Sequence, residues 1–364
     1  YGGRHLGTEF FVDWAPMISW NLPPEFDPGF YRNRYGELAG MSDDQLVLHY
    51  NTHGKYQGLQ ATAIAERSDF VALIPPTAST LEIGPFAAPV CQGPAVRYSD
   101  ILDTAALKAR AVPHGMDPAR VPTIHYPLGD GTLDDIPEQF DAVVTSHVVE
   151  HQPDFITHLQ QVERRLNGHG KYFVLVPDKR FCFDNRIAPS TIAELLQAHA
   201  EKRKVHTLRS VIEHRALVVH SDPARHWAER HRPPDADAVD VFKVREAMDE
   251  YAAADGGYID VHAWYFTPDS FRAIMDNLFD LELTSLRVER LYRTRRDRLE
   301  FWAVLTRGEP SVCLSDLATQ GPEVDMVTET ALTAAAPVGH GAASDPVAPA
   351  VGMVGRLLRG IAGR

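Results

Sequence analysis

Between residues 79 and 307 the chain alternates short β-rich runs with helical patterns, and this alternation constrains its fold more than any other feature. Strands are predicted at 80–83, 95–98, 123–126, 142–145, 172–176, 281–288 and 299–305. Strands joined through helices run parallel in one sheet. Between the fourth and fifth, Phe155, Leu159, Val162 and Leu166 recur at helical spacing, and Gly168 and Gly170 punctuate the end of that helix. Another helix opens at Thr267-Pro268-Asp269, with Thr as cap and Pro in the first turn, and continues through Phe271, Ile274, Met275 and Leu278. Only residues 289–298 separate the last two strands. That is too short for a crossover helix, so these two pair antiparallel.

Composition narrows the class of function. Lys and Arg number 36 against 49 Asp and Glu, a net charge of −13, which argues against a protein that tracks a phosphate backbone. Cys91, Cys182 and Cys313 form neither a disulfide framework nor a metal-knuckle spacing, and fit a reducing, cytoplasmic setting. No apolar run reaches the roughly 18 residues of a membrane span. The opening Tyr1-Gly2-Gly3-Arg4-His5 lacks the layout of a signal peptide, and the sequence starts without Met.

The chemistry begins at Leu81-Glu82-Ile83-Gly84-Pro85-Phe86, directly after the first strand. A tight turn there brings backbone N–H groups close to a ligand, an approach that Gly84 permits. Glu82 could accept hydrogen bonds from a cationic headgroup such as a methionine ammonium. The second strand leads into Ser99-Asp100-Ile101-Leu102-Asp103, which puts Asp100, with Asp103 in reserve, where a ribose diol would lie. Taken singly, either is more often a helix N-cap. The third strand leads into Leu128-Gly129-Asp130-Gly131, which is also good turn chemistry. Three carboxylates after three successive strands favour a nucleoside-type ligand at the carboxyl edge of the sheet. A nicotinamide dinucleotide would want Gly-x-Gly-x-x-Gly after the first strand, and only Gly84 fits.

Longer blocks follow: Ser146-His147-Val148-Val149-Glu150-His151-Gln152-Pro153-Asp154, then Pro177-Asp178-Lys179-Arg180. With the turn after the first strand, they resemble class I S-adenosylmethionine-dependent methyltransferases, in particular a bacterial group carrying these two blocks. The resemblance runs from about residue 80 to residue 305. It implies an α/β fold: a Rossmann-like seven-stranded, mostly parallel sheet with an antiparallel last strand, plus a helical insertion and a small helical N-terminal module. It also implies S-adenosylmethionine as cofactor, held by Glu82, Gly84, Pro85, Phe86, Asp100, Asp130, Gly131 and Ser146, with Asp130 against the adenine amine. The departure is at Phe86 and Ala88, where the family pattern has glycines. A non-catalytic binding or scaffold protein on the same fold, working in a glycan-assembly complex, is the alternative.

For a hydroxyl acceptor a base must take the proton. His147 and His151, after the fourth strand, are the natural candidates, with Asp178 and His262 bordering the same pocket. Glu150 and Asp154 could orient His151. Lys179 and Arg180 either grip an anionic acceptor or form a solvated turn. Residues 178–266 read as a helical lid. Its histidines (His199, His206, His214, His220, His226, His231) have no zinc-like spacing, so no metal site is assigned; magnesium is the ion considered, and polar packing is favoured over it. Arg287, Arg290, Arg293, Arg295, Arg296 and Arg298 read as the solvated tip of the last hairpin.

Outside the 79–307 domain, residues 1–78 read as a helical appendage in which Ser42 caps a helix. Residues 26–58 resemble a small module found beside bacterial glycan-assembly enzymes. From that alone come a sugar hydroxyl of a cell-surface glycan as acceptor, a role in polysaccharide synthesis, and glycan-assembly enzymes as partners. Residues 308–364 read as a disordered tail. Near its end Val351, Val354, Leu358 and Ile361 could share a face beside arginines, giving weak membrane-surface contact, although the glycines favour a frayed tail.

Overall fold

The computed structural model describes residues 18–129, 131–228 and 239–308. Seven strands form one sheet: β1 (Thr80–Ile83), β2 (Val96–Asp100), β3 (Tyr126–Pro127), β4 (Phe140–Ser146), β5 (Leu166–Pro177), β6 (Leu286–Tyr292) and β7 (Glu300–Arg307). Their order is β3-β2-β1-β4-β5-β7-β6. Strands β1 to β5 pair in parallel, and β7 runs antiparallel to both β5 and β6. The sheet is therefore the mostly parallel, Rossmann-like one expected, with the last strand reversed and inserted beside β5.

Alternation across the pleat separates two apolar faces. Val143, Tyr172, Val174, Val176, Phe301, Ala303 and Leu305 face one core, filled by α5 (Phe155–Arg165) and α10 (Pro268–Asp280). Ala142, Val144, Phe173, Leu175, Trp302 and Val304 face the other, with Phe70 of α3 (Arg67–Val71) and Trp20 laid over them. Before α3 come α1 (Pro28–Arg34) and α2 (Asp43–His49), packed round a small core of Phe26, Tyr31, Leu38, Leu46 and Tyr50. Ser42 caps α2 in a reciprocal box with Gln45. After β2 comes α4 (Thr104–Ala111), capped by Asp103. Between β5 and α10 lie α6 (Ile192–Ala200), α7 (Leu208–Ala216), α8 (Pro223–Ala228) and α9 (Val241–Ala253). Among the described residues no helix is long and apolar enough to cross a membrane.

Three local expectations are corrected. The glycines at 168 and 170 do not end α5, which stops at Arg165; they lie in β5, and a Cβ at Gly170 would meet the Phe140 carbonyl oxygen at 2.8 Å. The glycine is needed for the close approach of β4 and β5, whose register shifts there. Strand β6 starts at Leu286 rather than residue 281, because α10 runs through Asp280. The hairpin arginines do not form a solvated tip. Arg293 is ion-paired with Asp269, Arg295 donates to the Ala65 carbonyl, Arg298 forks onto Glu66 and Arg290 donates to the Pro23 carbonyl. Arg290, Arg295 and Arg298 clamp the hairpin to the N-terminal residues, Arg293 ties it to the first turn of α10, and of the six only Arg296 is exposed. The terminal segments at 1–17 and 309–364, with the tail and its helix, lie outside the described residues.

Candidate active site

In an open parallel sheet a ligand crevice opens where neighbouring strands lead to opposite sides. Here that point is the carboxyl ends of β1 and β4. Gly84 turns the chain out of β1 with φ +68°, and an added Cβ would meet Val148 Cγ2 at 2.9 Å, so this turn touches the loop after β4. Phe86, where the family pattern has a second glycine, also holds a positive φ of 44°. The side chain departs from that pattern while the backbone keeps a conformation glycine would favour. Pro85 between them is buried.

Glu82 is buried, and its two carboxylate oxygens accept the N–H groups of Val90 and Cys91 at 2.8 Å each. Burial pushes its pKa up to about 7, against the pull of those N–H groups and of Arg67. Asp100 lies half-buried at the end of β2. Burial raises its pKa, opposed by the N–H groups of Leu102, Ile101 and Phe86 and by the Arg110 charge. Its carboxylate thus sits against the β1 turn. Gly129 and Gly131 both have positive φ, as the loop after β3 requires. Asp130 between them lies outside the described residues.

Ser146 ends β4 opposite Leu175, and His147 follows with φ +55°. His147 Nε2 lies 2.6 Å from Glu300 Oε2, and Arg67 is ion-paired with the same carboxylate. Burial works to raise the Glu300 pKa, but the His147 hydrogen bond and the Arg67 charge outweigh it and hold the carboxyl well below its usual range. His147 Nδ1 lies 3.7 Å from Glu150 Oε1.

His151 Nδ1 stands 3.0 Å from Asp260 Oδ1, off the line a hydrogen bond wants. Burial works to lower the His151 pKa, yet the Asp260 contact and the Glu150 charge carry it above the ordinary value. His262 Nδ1 lies 2.7 Å from Asp184 Oδ2, and the two imidazoles meet edge to face at 4.6 Å. Asp154 does not orient His151: it caps α5 through the Thr157 N–H and pairs with His199. Asp178 is fully buried, and its oxygens accept from Arg180 and from the Thr294 hydroxyl at 2.6 Å. Lys179 donates to the Asn185 carbonyl, so neither it nor Arg180 forms the solvated turn. Burial lowers the His206 pKa to about 4 and depresses His214 strongly. His226 Nε2 contacts the His220 carbonyl oxygen at 2.8 Å, and His231 lies outside the described residues.

The structure thus brings Gly84, Phe86, Asp100, Ser146, His147, His151 and His262 to one edge of the sheet, while Asp178, at the carboxyl end of β5, is fully buried and engaged by Arg180 and Thr294. Sequence reasoning missed Glu300, Asp260, Asp184 and Arg67. Glu300 carried a signal, a lone charge in the apolar run Leu299-Glu300-Phe301-Trp302. Arg67 carried none. A recess of about 680 Å³ between the ends of α5 and α10, lined by Gln160, Glu163 and Phe279, lies at the amino edge of the sheet, away from these groups.

No family model matches the sequence, and no curated protein matches it. Among solved structures, the mitomycin 7-O-methyltransferase MmcR aligns with 66% of this chain at 11% identity and TM-score 0.33, and the chain spans about half (52%) of its length. An S-adenosylmethionine-dependent methyltransferase from Clostridium acetobutylicum aligns with 73% at 7% identity and TM-score 0.34, covering 99% of that protein. A Rhodobacter sphaeroides chain named for Zn-dependent alcohol dehydrogenases aligns with 69% at 14% identity and TM-score 0.36, covering 92% of it. These names span more than one chemistry, so the likeness selects no reaction.

Proposed function

We propose that this chain is an S-adenosylmethionine-dependent methyltransferase acting on a hydroxyl, on a sugar of a cell-surface glycan. One observation carries the reading: at the β1/β4 switch point a positive-φ turn, a half-buried carboxylate on the next strand and a carboxylate-anchored histidine meet at one crevice. A nucleoside sulfonium fits this set. Asp100 would accept from the ribose hydroxyls, the N–H groups of the 84–86 turn would approach the methionine carboxylate, and Asp130 and Gly131 would border the adenine. Glu82 would act one step back, holding the loop through Val90 and Cys91. S-adenosylmethionine supplies the electrophilic methyl group.

The chain's part is positioning and proton removal. Glu300 fixes one nitrogen of His147 and leaves Nδ1 free to take the acceptor's proton. The glycan assignment rests on the resemblance of residues 26–58 alone.

Calorimetric titration with S-adenosylhomocysteine, S-adenosylmethionine and NAD tests the site. The first two should bind and NAD should not, and Asp100→Ala should weaken binding by about 10- to 100-fold, the worth of a hydrogen bond to a charged group. Absence of binding by either adenosyl compound would end the enzyme reading and favour the scaffold.

A further inference from the structure

Beside the crevice lies a buried polar group that proton removal by His147 does not use. The Glu150 side chain is fully buried, and neither carboxylate oxygen has a hydrogen-bond partner. Its backbone carbonyl accepts the N–H groups of Ala263 and Trp264, which pins the residue against the segment carrying His262. One ligating atom from each of Glu150, His151 and His262 lies within 4.8 Å of the other two. A carboxylate buried without a hydrogen-bond donor is costly. His147 Nδ1, at 3.7 Å, is beyond hydrogen-bond reach.

We propose that Glu150, His151 and His262 form a binding site for one divalent transition-metal ion, zinc being the member of that class their donors fit best. Two imidazoles and a carboxylate are a borderline donor set, suited to zinc and its neighbours; magnesium would want oxygen ligands and several waters. Each histidine has a carboxylate behind it: Asp184 at 2.7 Å from His262 Nδ1 and Asp260 at 3.0 Å from His151 Nδ1. Such outer carboxylates orient metal-binding imidazoles. Asp184, His214 and His262 also lie within 4.8 Å of one another. That trio needs no ion, because Asp184 already bonds His262 and His214 Nδ1 accepts the His262 backbone N–H. Three protein ligands leave a position open for water or an acceptor oxygen. Holding an acceptor there rests on the methyltransferase reading; binding of the ion does not.

The test strips the full-length protein with a chelator, then titrates zinc and magnesium by calorimetry, with cobalt as a spectroscopic stand-in. One zinc per chain, no magnesium uptake, visible cobalt bands and a Tm that falls on stripping and recovers with zinc are expected. Glu150→Gln and His262→Ala should each weaken zinc binding at least ~10-fold, and Asp184→Asn by about 10- to 100-fold. His169→Ala, exposed and away from the crevice, should leave it unchanged. The competing arrangement is a protonated His151 that neutralises Glu150 without an ion. It gives no stoichiometric zinc uptake, no cobalt bands and an unchanged Tm on stripping, and any of these in the wild type overturns the site without needing a variant. S-adenosylhomocysteine titrated in parallel separates the readings: its binding without zinc uptake removes the ion alone, and zinc uptake without its binding removes methyl transfer alone.

Discussion

A histidine serves as a base at a defined atom only when its other nitrogen is held, and His147 meets that condition through Glu300. His147→Ala should lower kcat by about 10²- to 10⁴-fold, the usual worth of general base catalysis, and leave S-adenosylhomocysteine affinity unchanged. A loss of affinity instead, with kcat intact, would place His147 in ligand binding. Glu300→Gln removes the charge that Arg67 and His147 share, and should cost about 3 kcal/mol, as breaking a buried pair does. Because the folded-state pKa of Glu300 lies below that of a free carboxyl, its contribution is whole above an ordinary pKa of about 4.3 and drains as pH falls below it. Urea melts between pH 6 and pH 3 should therefore show a shallower acid loss for Glu300→Gln than for the wild type. Equal slopes would mean that Glu300 carries no such charge in the fold.

At the scale of elements, what was legible in the sequence was what local chemistry decides. Strand β1 lies where its apolar run placed it, and Thr267 caps α10 with Pro268 at its start, because caps and first turns depend on neighbours a few residues away. Strand β3 shrank to Tyr126–Pro127 because it sits on the sheet's edge, where half its partners are missing. The hairpin arginines were misjudged because their partners lie at Pro23, Ala65, Glu66 and Asp269, distant in sequence and close only once folded. The candidate site divides the same way: Gly84, Asp100 and His147 follow strands and could be read, whereas Asp184, Asp260 and Arg67 reach it from other segments. Gly58 measures how tightly the hairpin turn is seated. Its φ is +66°, its carbonyl accepts the Arg296 N–H at 3.0 Å, and an added Cβ would meet Arg296 N at 2.4 Å and Trp227 Cη2 at 2.6 Å. Gly58→Ala should therefore cost about 2 kcal/mol or more in urea unfolding, through backbone strain and displacement of the turn. Gly40→Ala, with nothing within 4 Å, should stay within about 0.5 kcal/mol of wild type. If the two behave alike, the turn is not seated on Gly58.

At the scale of the molecule, the residues before β1 do more than decorate the sheet. Phe70 is fully buried, stacked on Trp302 with ring centroids 5.7 Å apart and set against Phe173 at 5.5 Å, while Trp20 also packs on Phe173 at 5.6 Å. Arg67, one turn from Phe70, reaches through to Glu300 and so joins this cover to His147. Taking residues 1–78 away would bare Val144, Phe173, Leu175, Tyr292, Trp302 and Val304 as one apolar face. At about 1.5–3 kcal/mol for each large side chain returned to water, the loss approaches the 5–15 kcal/mol that holds a whole domain. A chain starting at residue 79 should therefore be insoluble or melt without a cooperative transition. A chain starting at residue 59 loses the small helical core and Trp20 but keeps Arg67 and Phe70. It should stay soluble, melt at lower temperature in one transition and bind S-adenosylhomocysteine. A soluble, cooperative chain from residue 79 would show instead that the sheet stands without its cover. Only the shorter deletion can then ask whether the helical module recruits glycan-assembly enzymes, because loss of partners from a chain that no longer folds says nothing about recruitment.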